Sequence, residues 1–253
     1  MSLEFFNNLD LHDPETWKTN VAHNGPVFKK NDLSLGIQNR QDYGIGDFIP
    51  INRAKNVLIV TRGRSGSSFL GDLLNRYPGT FYTFEPLHHA GKRGILTSQN
   101  RINALKQIFN CTLNDEFFEH AKEWKYSLSR NVRYWNFCNG LVGGHHECYL
   151  PELFNSICSI FSIRLVKTIR LSFDETEELL KDIEVRNSIK IIFLFQDPRG
   201  VHQSMKEICD KPGWKFKNCN DINHLCEVLD KDILGAINVK QKYPSKYFIC
   251  NTE

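Results

Sequence analysis

The sequence predicts an α/β domain whose mainly parallel sheet carries helices on both faces. Two apolar runs of strand length, Val57 to Val60 and Lys190 to Phe195, are rich in β-branched and aromatic residues, and each runs into a polar turn. Stretches with apolar residues at helical spacing separate the strand candidates, as parallel strands joined by crossovers require. At 253 residues and 41% hydrophobic, the chain has enough apolar material for one sizeable core.

Taken in order, residues 1–50 read as a lead-in packed on the domain, and residues 51–253 as the domain itself. Turn signals at Asp13-Pro14, Asn24-Gly25-Pro26 and Lys29-Lys30-Asn31-Asp32 punctuate the lead-in, with Trp17, Phe28 and Phe48 as its anchors. The first strand gives way to a polar loop from Thr61 to Gly66. A helix follows, predicted from Phe69, Leu70, Leu73, Leu74 and Tyr77 and stopped before Pro78-Gly79, and then a second strand ends on Glu85. From His88 to Gly94 the polar, basic, Gly-flanked sequence reads as a loop at the mouth of a site. Two amphipathic helices between Arg101 and Trp124 are placed over one face of the sheet. Pro151 to Phe161 is a helix with Pro in its first turn. Ile163 to Ile169 is a strand, followed by a helix from near Ser172 whose Asp174, Glu175 and Glu177 suit an N-terminal turn. Lys190 to Phe195 suits a sheet centre buried on both faces. After it, Asp197 caps a helix that has Pro198 at its first position and Val201, Met205 and Ile208 as an inward stripe. A long amphipathic helix from Asp221 to Tyr243 and a strand from Lys246 to Cys250 close the chain.

Lys plus Arg exceeds Asp plus Glu by 32 − 29 = 3, an excess that suits an anionic small molecule and, without a long basic run, no nucleic acid. The eight cysteines lack paired C-x-x-C spacing, which argues against a zinc ribbon and leaves disulfides open. Gly143-Gly144-His145-His146-Glu147-Cys148 looks like a metal site, but adjacent histidines in a turn do not converge on one ion without a second spaced pair, so no metal is expected. Asn110-Cys111-Thr112 is a glycosylation sequon and supports a secretory compartment. No run of apolar residues matches a membrane span or a signal-peptide core.

The loop after the first strand carries the strongest chemistry. A loop that leaves a buried strand and opens a helix aims backbone N–H groups at one spot, where the helix dipole also favours negative charge. Here Arg62, Gly63, Arg64, Ser65, Gly66, Ser67, Ser68 and Phe69 add guanidinium groups and hydroxyls around a phosphate or sulfate. The Walker pattern G-x-x-x-x-G-K-[ST] is absent, since no Lys follows a loop Gly, which disfavours a magnesium-nucleotide kinase. The string Arg64-Ser65-Gly66-Ser67-Ser68-Phe69, followed by Phe84-Glu85-Pro86-Leu87, resembles the Golgi carbohydrate 6-O-sulfotransferases that act on galactose, N-acetylglucosamine and N-acetylgalactosamine. The resemblance implies a sulfotransferase fold related to the P-loop nucleotidases, with this loop on the 5′-phosphate and sulfate end of 3′-phosphoadenylyl sulfate (PAPS).

A second string continues the likeness. Gln196-Asp197-Pro198-Arg199-Gly200-Val201-His202-Gln203-Ser204 is similar to the family's R-D-P-R-A-V-x-x-S, which holds the 3′-phosphate of PAPS through its first Arg and final Ser. Gln196 stands where the family has Arg, while Asp197, Pro198, Arg199, Val201 and Ser204 match. A third string, Lys167-Thr168 with Arg170, resembles a family K-T-x-R and implies a place near the cofactor or an acidic acceptor; a solvated basic strand end is the alternative. The likeness covers about residues 50 to 253. It implies a further C-terminal part, a type II membrane anchor, the Golgi lumen and a glycan or glycosaminoglycan acceptor.

Sulfuryl transfer needs in-line positioning, stabilisation of the leaving phosphate oxygen and removal of the acceptor hydroxyl proton. Arg64 is the candidate for the leaving oxygen, because it sits in the loop and keeps its charge at all working pH values. Glu85 is the candidate base, since a desolvated carboxylate at a strand end has its pKa raised toward neutrality. His88 is the second candidate base, and an ion pair of Glu85 with Arg62 or Arg93 is the competing structural reading. A non-catalytic module that binds an anionic glycan or nucleotide is the alternative function, permitted by Gln196.

Overall fold

The computed structural model describes residues 55–77, 79–88, 97–124, 126–139, 144–209 and 221–251. The lead-in with Trp17, Phe28 and Phe48, and residues 89–94 of the expected loop, lie outside these.

Five strands, β1 (Lys55–Thr61), β2 (Thr80–Phe84), β3 (Ile163–Thr168), β4 (Ile189–Phe195) and β5 (Tyr247–Asn251), form one all-parallel sheet in the order β2-β3-β1-β4-β5. The centre belongs to β1, whereas the apolar run expected there, β4, lies between β1 and β5. Both are covered on two faces, so a continuous apolar pattern reports burial and does not rank strands by distance from the centre. From β1 the chain turns toward β2 and from β4 toward β5, so these adjacent strands send their connections in opposite directions. A crevice at the strand C-terminal ends is the consequence, and ligands of open α/β sheets bind there.

Alternation along each strand divides the core. Val57, Ile59, Leu165, Ile192 and Leu194 face α1 (Ser67–Asn75), which contributes Leu70 and Leu74. Of the stripe expected for this helix, Phe69 is instead 71% exposed and Leu73 also points outward. On the other face, Leu58, Val60, Val166, Ile191 and Phe193 meet α2 (Ser98–Asn110) and α3 (Asp115–Glu123), the two helices expected to cover one face. Thr97 and Asn114 accept hydrogen bonds from the Asn100 and Phe117 N–H groups, which sets where these helices begin. Two short helices not anticipated, α4 (Tyr126–Ser129) and α5 (Val132–Asn139), add Leu128, Tyr134 and Phe137, and α6 (Pro151–Ser159) adds Phe154 and Ile157.

The string from Gly144 to Tyr149, expected as a turn, is a 3-10 helix whose Cys148 is bonded to Cys138 of α5. A second disulfide joins Cys111, just past α2, to Cys158 of α6. In α7 (Phe173–Lys181), Ser172 and Glu175 form a reciprocal capping box, and α8 (Ile183–Ser188) starts on the Asp182 carboxylate. The helix after β4, α9 (Pro198–Cys209), has no fully buried residue: Val201, Met205 and Ile208 are only half-buried. The expected inward stripe is therefore only partly buried, and α9 packs on α10 (Ile222–Lys242).

Close approach of α1 to the sheet rests on one glycine. A Cβ on Gly71 would lie 2.1 Å from the hydroxyl of Tyr82, itself buried on β2. Gly71→Ala is therefore expected to cost about 1–3 kcal/mol of stability by overpacking, read from urea denaturation. An unchanged midpoint would show that α1 can move away from β2.

Candidate functional site

The loop between β1 and α1 is shaped for an anion. Arg64 and Gly66 hold left-handed φ values of 68° and 75°, which curl the backbone ahead of the helix. Gly66 caps α1 without a side-chain hydrogen bond, and the first turn has no acidic residue, so this end keeps its positive dipole. Ser65 and Ser67 are buried. The Ser65 hydroxyl turns inward onto the Thr61 hydroxyl, which also donates to the Leu194 carbonyl at 2.7 Å. That chain ties the loop to β4. Ser68 is half-buried and Gly63 lies beside Ile169.

The two arginines of the loop have different partners. Arg62 forms a fork with Asp232 of α10, through Nε to Oδ2 and Nη2 to Oδ1 at 2.8 Å. Asp232 is buried, and sequence reasoning missed it because nothing in an amphipathic helix marks which acid turns inward toward a loop 170 residues away. Arg64 is exposed and pairs with no carboxylate among the described residues. Its Nε donates to the Ser204 hydroxyl at 2.8 Å. The first and second sequence motifs, 140 residues apart, thus meet directly at the crevice between β1 and β4.

Around the second motif the charges cancel. Asp197 accepts from the Arg199 N–H at 2.8 Å, as a helix cap does, and also from the Arg199 guanidinium. That guanidinium holds the Asp197 carboxyl down at about 2. Arg199 is 86% exposed, so solvent weakens the pair. Gln196, half-buried, folds its amide over the first turn of α9, where a Cβ on Gly200 would lie 3.3 Å from Nε2. Pro198 opens the helix.

A separate cluster occupies the ends of β2 and β3. Glu85 is a non-glycine residue at φ 47°, pinned by its N–H to the Lys167 carbonyl at 2.8 Å. Its carboxylate binds the Lys167 ammonium through Oε1 and the Arg170 guanidinium through Oε2 at 2.6 Å. Arg62, one of the two partners expected for it, belongs instead to Asp232; Arg93, the other, lies outside the described residues. The side chains of Glu85 and Lys167 are 4% and 5% exposed, whereas Arg170 reaches solvent. Lys167 also lies 4.8 Å from the centre of the Phe84 ring. Three sequence candidates are therefore assembled into one group carrying a net positive charge. Ile169 links this group to the loop, since its N–H reaches Glu85 at 3.4 Å while a Cβ on Gly63 would lie 4.0 Å from its Cδ1. His88 closes the turn beyond, its N–H donating to the Glu85 carbonyl at 2.9 Å and its ring stacked on Trp124 at 3.8 Å.

No family model matches the chain. It is 26% identical over 194 residues to carbohydrate sulfotransferase 1 of Mus musculus, covering 62% of this chain and 46% of that protein. Against carbohydrate sulfotransferase 1 of Homo sapiens it is 28% identical over 198 residues, with 62% and 46% covered. Carbohydrate sulfotransferase 6 of Homo sapiens matches at 25% over 178 residues, covering 60% and 44%. The match thus spans a little under half the length of these curated relatives.

Proposed function

We infer that this chain, a member of the carbohydrate sulfotransferase family, moves a sulfuryl group from PAPS to a sugar hydroxyl, the 6-hydroxyl of galactose or an N-acetylhexosamine. Sulfate transfer to a sugar is the activity its relatives are named for; the donor, the hydroxyl and the activity of this chain are our reading. The observation that carries it is the Arg64–Ser204 hydrogen bond, which joins a phosphate-cradling loop to a second polar motif across a sheet-end crevice.

The donor's 5′-phosphosulfate would lie on the uncapped end of α1, where backbone N–H groups and the helix dipole favour an anion without further charge. Arg64, exposed and facing no carboxylate among the described residues, would meet the charge that grows on the leaving phosphate oxygen. Glu85 would take the acceptor hydroxyl proton through Oε2, because that oxygen faces the partly exposed Arg170 while Lys167 seals the other side. Arg170 would attract an acidic glycan. His88 is the alternative base. No magnesium is needed, since the guanidinium groups and helix N-terminus supply the positive charge.

At the other end of the donor, Ser204 would hydrogen-bond the 3′-phosphate. Gln196 offers a neutral amide, and Arg199 is engaged by Asp197. This observation favours a second reading, a non-catalytic module that keeps the anion site. Calorimetry with adenosine 3′,5′-bisphosphate and with 5′-AMP separates the two. A charge-assisted bond from Arg199 to the 3′-phosphate is worth about 1.5–3 kcal/mol, so the enzyme reading expects the bisphosphate to bind at least roughly tenfold tighter. No binding by the folded chain would support the second reading.

The disulfides Cys111–Cys158 and Cys138–Cys148 suit an oxidising compartment, and we place the chain in the Golgi lumen. Asn110, exposed at the end of α2, would carry its glycan. Among the described residues, no helix is long and apolar enough to cross a membrane.

A further inference from the structure

Arg164 of β3 is a buried cation without a counter-ion among the described residues. It is 2% exposed, and its side chain sits among the core residues on the α2 and α6 face of the sheet. Its Nε donates to the Cys111 sulfur at 3.0 Å, its Nη2 has no hydrogen-bond partner, and no carboxylate pairs with it among the described residues. Burial pulls the guanidinium down to about 10. An unpaired buried charge of this kind is costly. What it faces is a disulfide sulfur, which carries no charge and accepts hydrogen bonds weakly. A thiolate in the same position would supply the missing negative charge.

We propose that Cys111–Cys158 is an exchange site for a dithiol reductant, with Cys111 leaving as a thiolate held by the Arg164 guanidinium. Cys111 and Cys158 are 6% and 1% exposed, so the reductant reaches them when α6 opens locally; its thiolate then bonds to the Cys158 sulfur, the Cys111–Cys158 bond breaks, and Cys111 takes the electron pair. The reductant's second thiol then attacks its own mixed-disulfide sulfur and expels Cys158, which takes that thiol's proton. The protein bond gains two electrons, and the reductant, oxidised by two, leaves as a cyclic disulfide. One proton is released to solvent overall, because Cys111 remains ionised. Among the described residues, Arg164 is the charged group within hydrogen-bond reach of this bond's sulfurs, and the other contact is the neutral Ile108 carbonyl of α2, 3.9 Å from the Cys158 sulfur. The Cys138–Cys148 bond has no cation hydrogen-bonded to either sulfur among the described residues, so it serves as an internal reference. Stabilising the reduced form raises a disulfide's reduction potential, and a lower leaving-group pKa speeds exchange.

The test equilibrates the full chain with mixtures of oxidised and reduced dithiothreitol, followed by acid quench, alkylation and mass mapping of each cysteine pair. Between roughly pH 6 and pH 8, where an unperturbed thiol stays mainly protonated, the constant for Cys111–Cys158 is expected to rise about tenfold per pH unit. The Cys138–Cys148 constant should stay flat. A flat profile for Cys111–Cys158 overturns the proposal, as does a Cys111–Cys158 bond that remains oxidised after Cys138–Cys148 is reduced. Arg164→Met should lower the constant at neutral pH by about tenfold or more, or about 30 mV, and Arg164→Lys should retain most of it. A constant for Arg164→Met within about twofold of the parent also overturns it. Should Arg164→Met fail to fold, the pH profile of the unmodified chain decides.

Discussion

Glu85→Gln is expected to cost about 3–5 kcal/mol of stability and, separately, about 10²–10⁴-fold in turnover. The stability loss follows from Lys167: with the Glu85 charge gone, a nearly sealed ammonium keeps its desolvation and loses its ion pair. Burial already pulls the Lys167 pKa below its ordinary 10.5, against the pull of Glu85 in the other direction. In the variant the folded-state pKa falls further, so the unfolded chain binds more protons wherever the pH lies between the two values. Stability then rises with pH through that window, and the deficit of Glu85→Gln should shrink as the pH climbs toward 10.5. Urea titrations across pH check the sign. Turnover is separated from stability by the double variant Glu85→Gln with Lys167→Met, in which an apolar side chain replaces the orphaned ammonium. It should regain most of the stability and none of the turnover. Recovered turnover would remove Glu85 as the base and leave His88.

Arg133→Met is expected to destabilise the fold by roughly 3 kcal/mol or more, through backbone carbonyls left without donors. Arg133 of α5 closes the C-terminal end of α1. Its guanidinium donates to the carbonyls of Asn75, Arg76, Tyr77 and Thr80 and to the Asn75 side chain, the last at 3.2 Å. Helix ends leave their last carbonyls unpaired, and here one side chain serves both the final turn of α1 and the bend into β2. Burial lowers the Arg133 pKa, which marks how far the group has left water. A lysine keeps the charge but cannot fork, so Arg133→Lys should recover only part of the loss. Urea denaturation with an unchanged slope is the measurement, and a midpoint equal to the parent's would show that water replaces these bonds without cost.

The strand, loop and helix from Lys55 to Asn75 were legible because their determinants are neighbours: a β-branched run, a glycine where φ is positive, apolar residues four apart. The same holds for the helix starts near Ser172 and Asp221. Reading failed where a pattern had more than one use. Val201, Met205 and Ile208 have helical spacing, but spacing does not say whether a sheet lies beneath. The disulfide of the GGHHEC string went unread because its partner, Cys138, belongs to a helix with too little periodicity to be recognised.

For the site, the residue types and the chain ends that carry them came from the amino-acid order: a loop rich in Arg and Ser after one strand, an Asp-Pro-Arg turn after another, an acid closing a third. Who meets whom did not. The strand order puts the end of β1 beside those of β3 and β4, and this adjacency gives Arg64 to Ser204, Arg62 to Asp232 and Glu85 to Lys167 and Arg170. Charge pairing is non-local, since a guanidinium accepts any carboxylate that packing brings within reach, and the order of residues holds no term for that distance. Local conformational preference is therefore written along the chain, whereas the partner of each buried charge, the Cys111 sulfur at Arg164 included, is settled only when the sheet and its helices close around it.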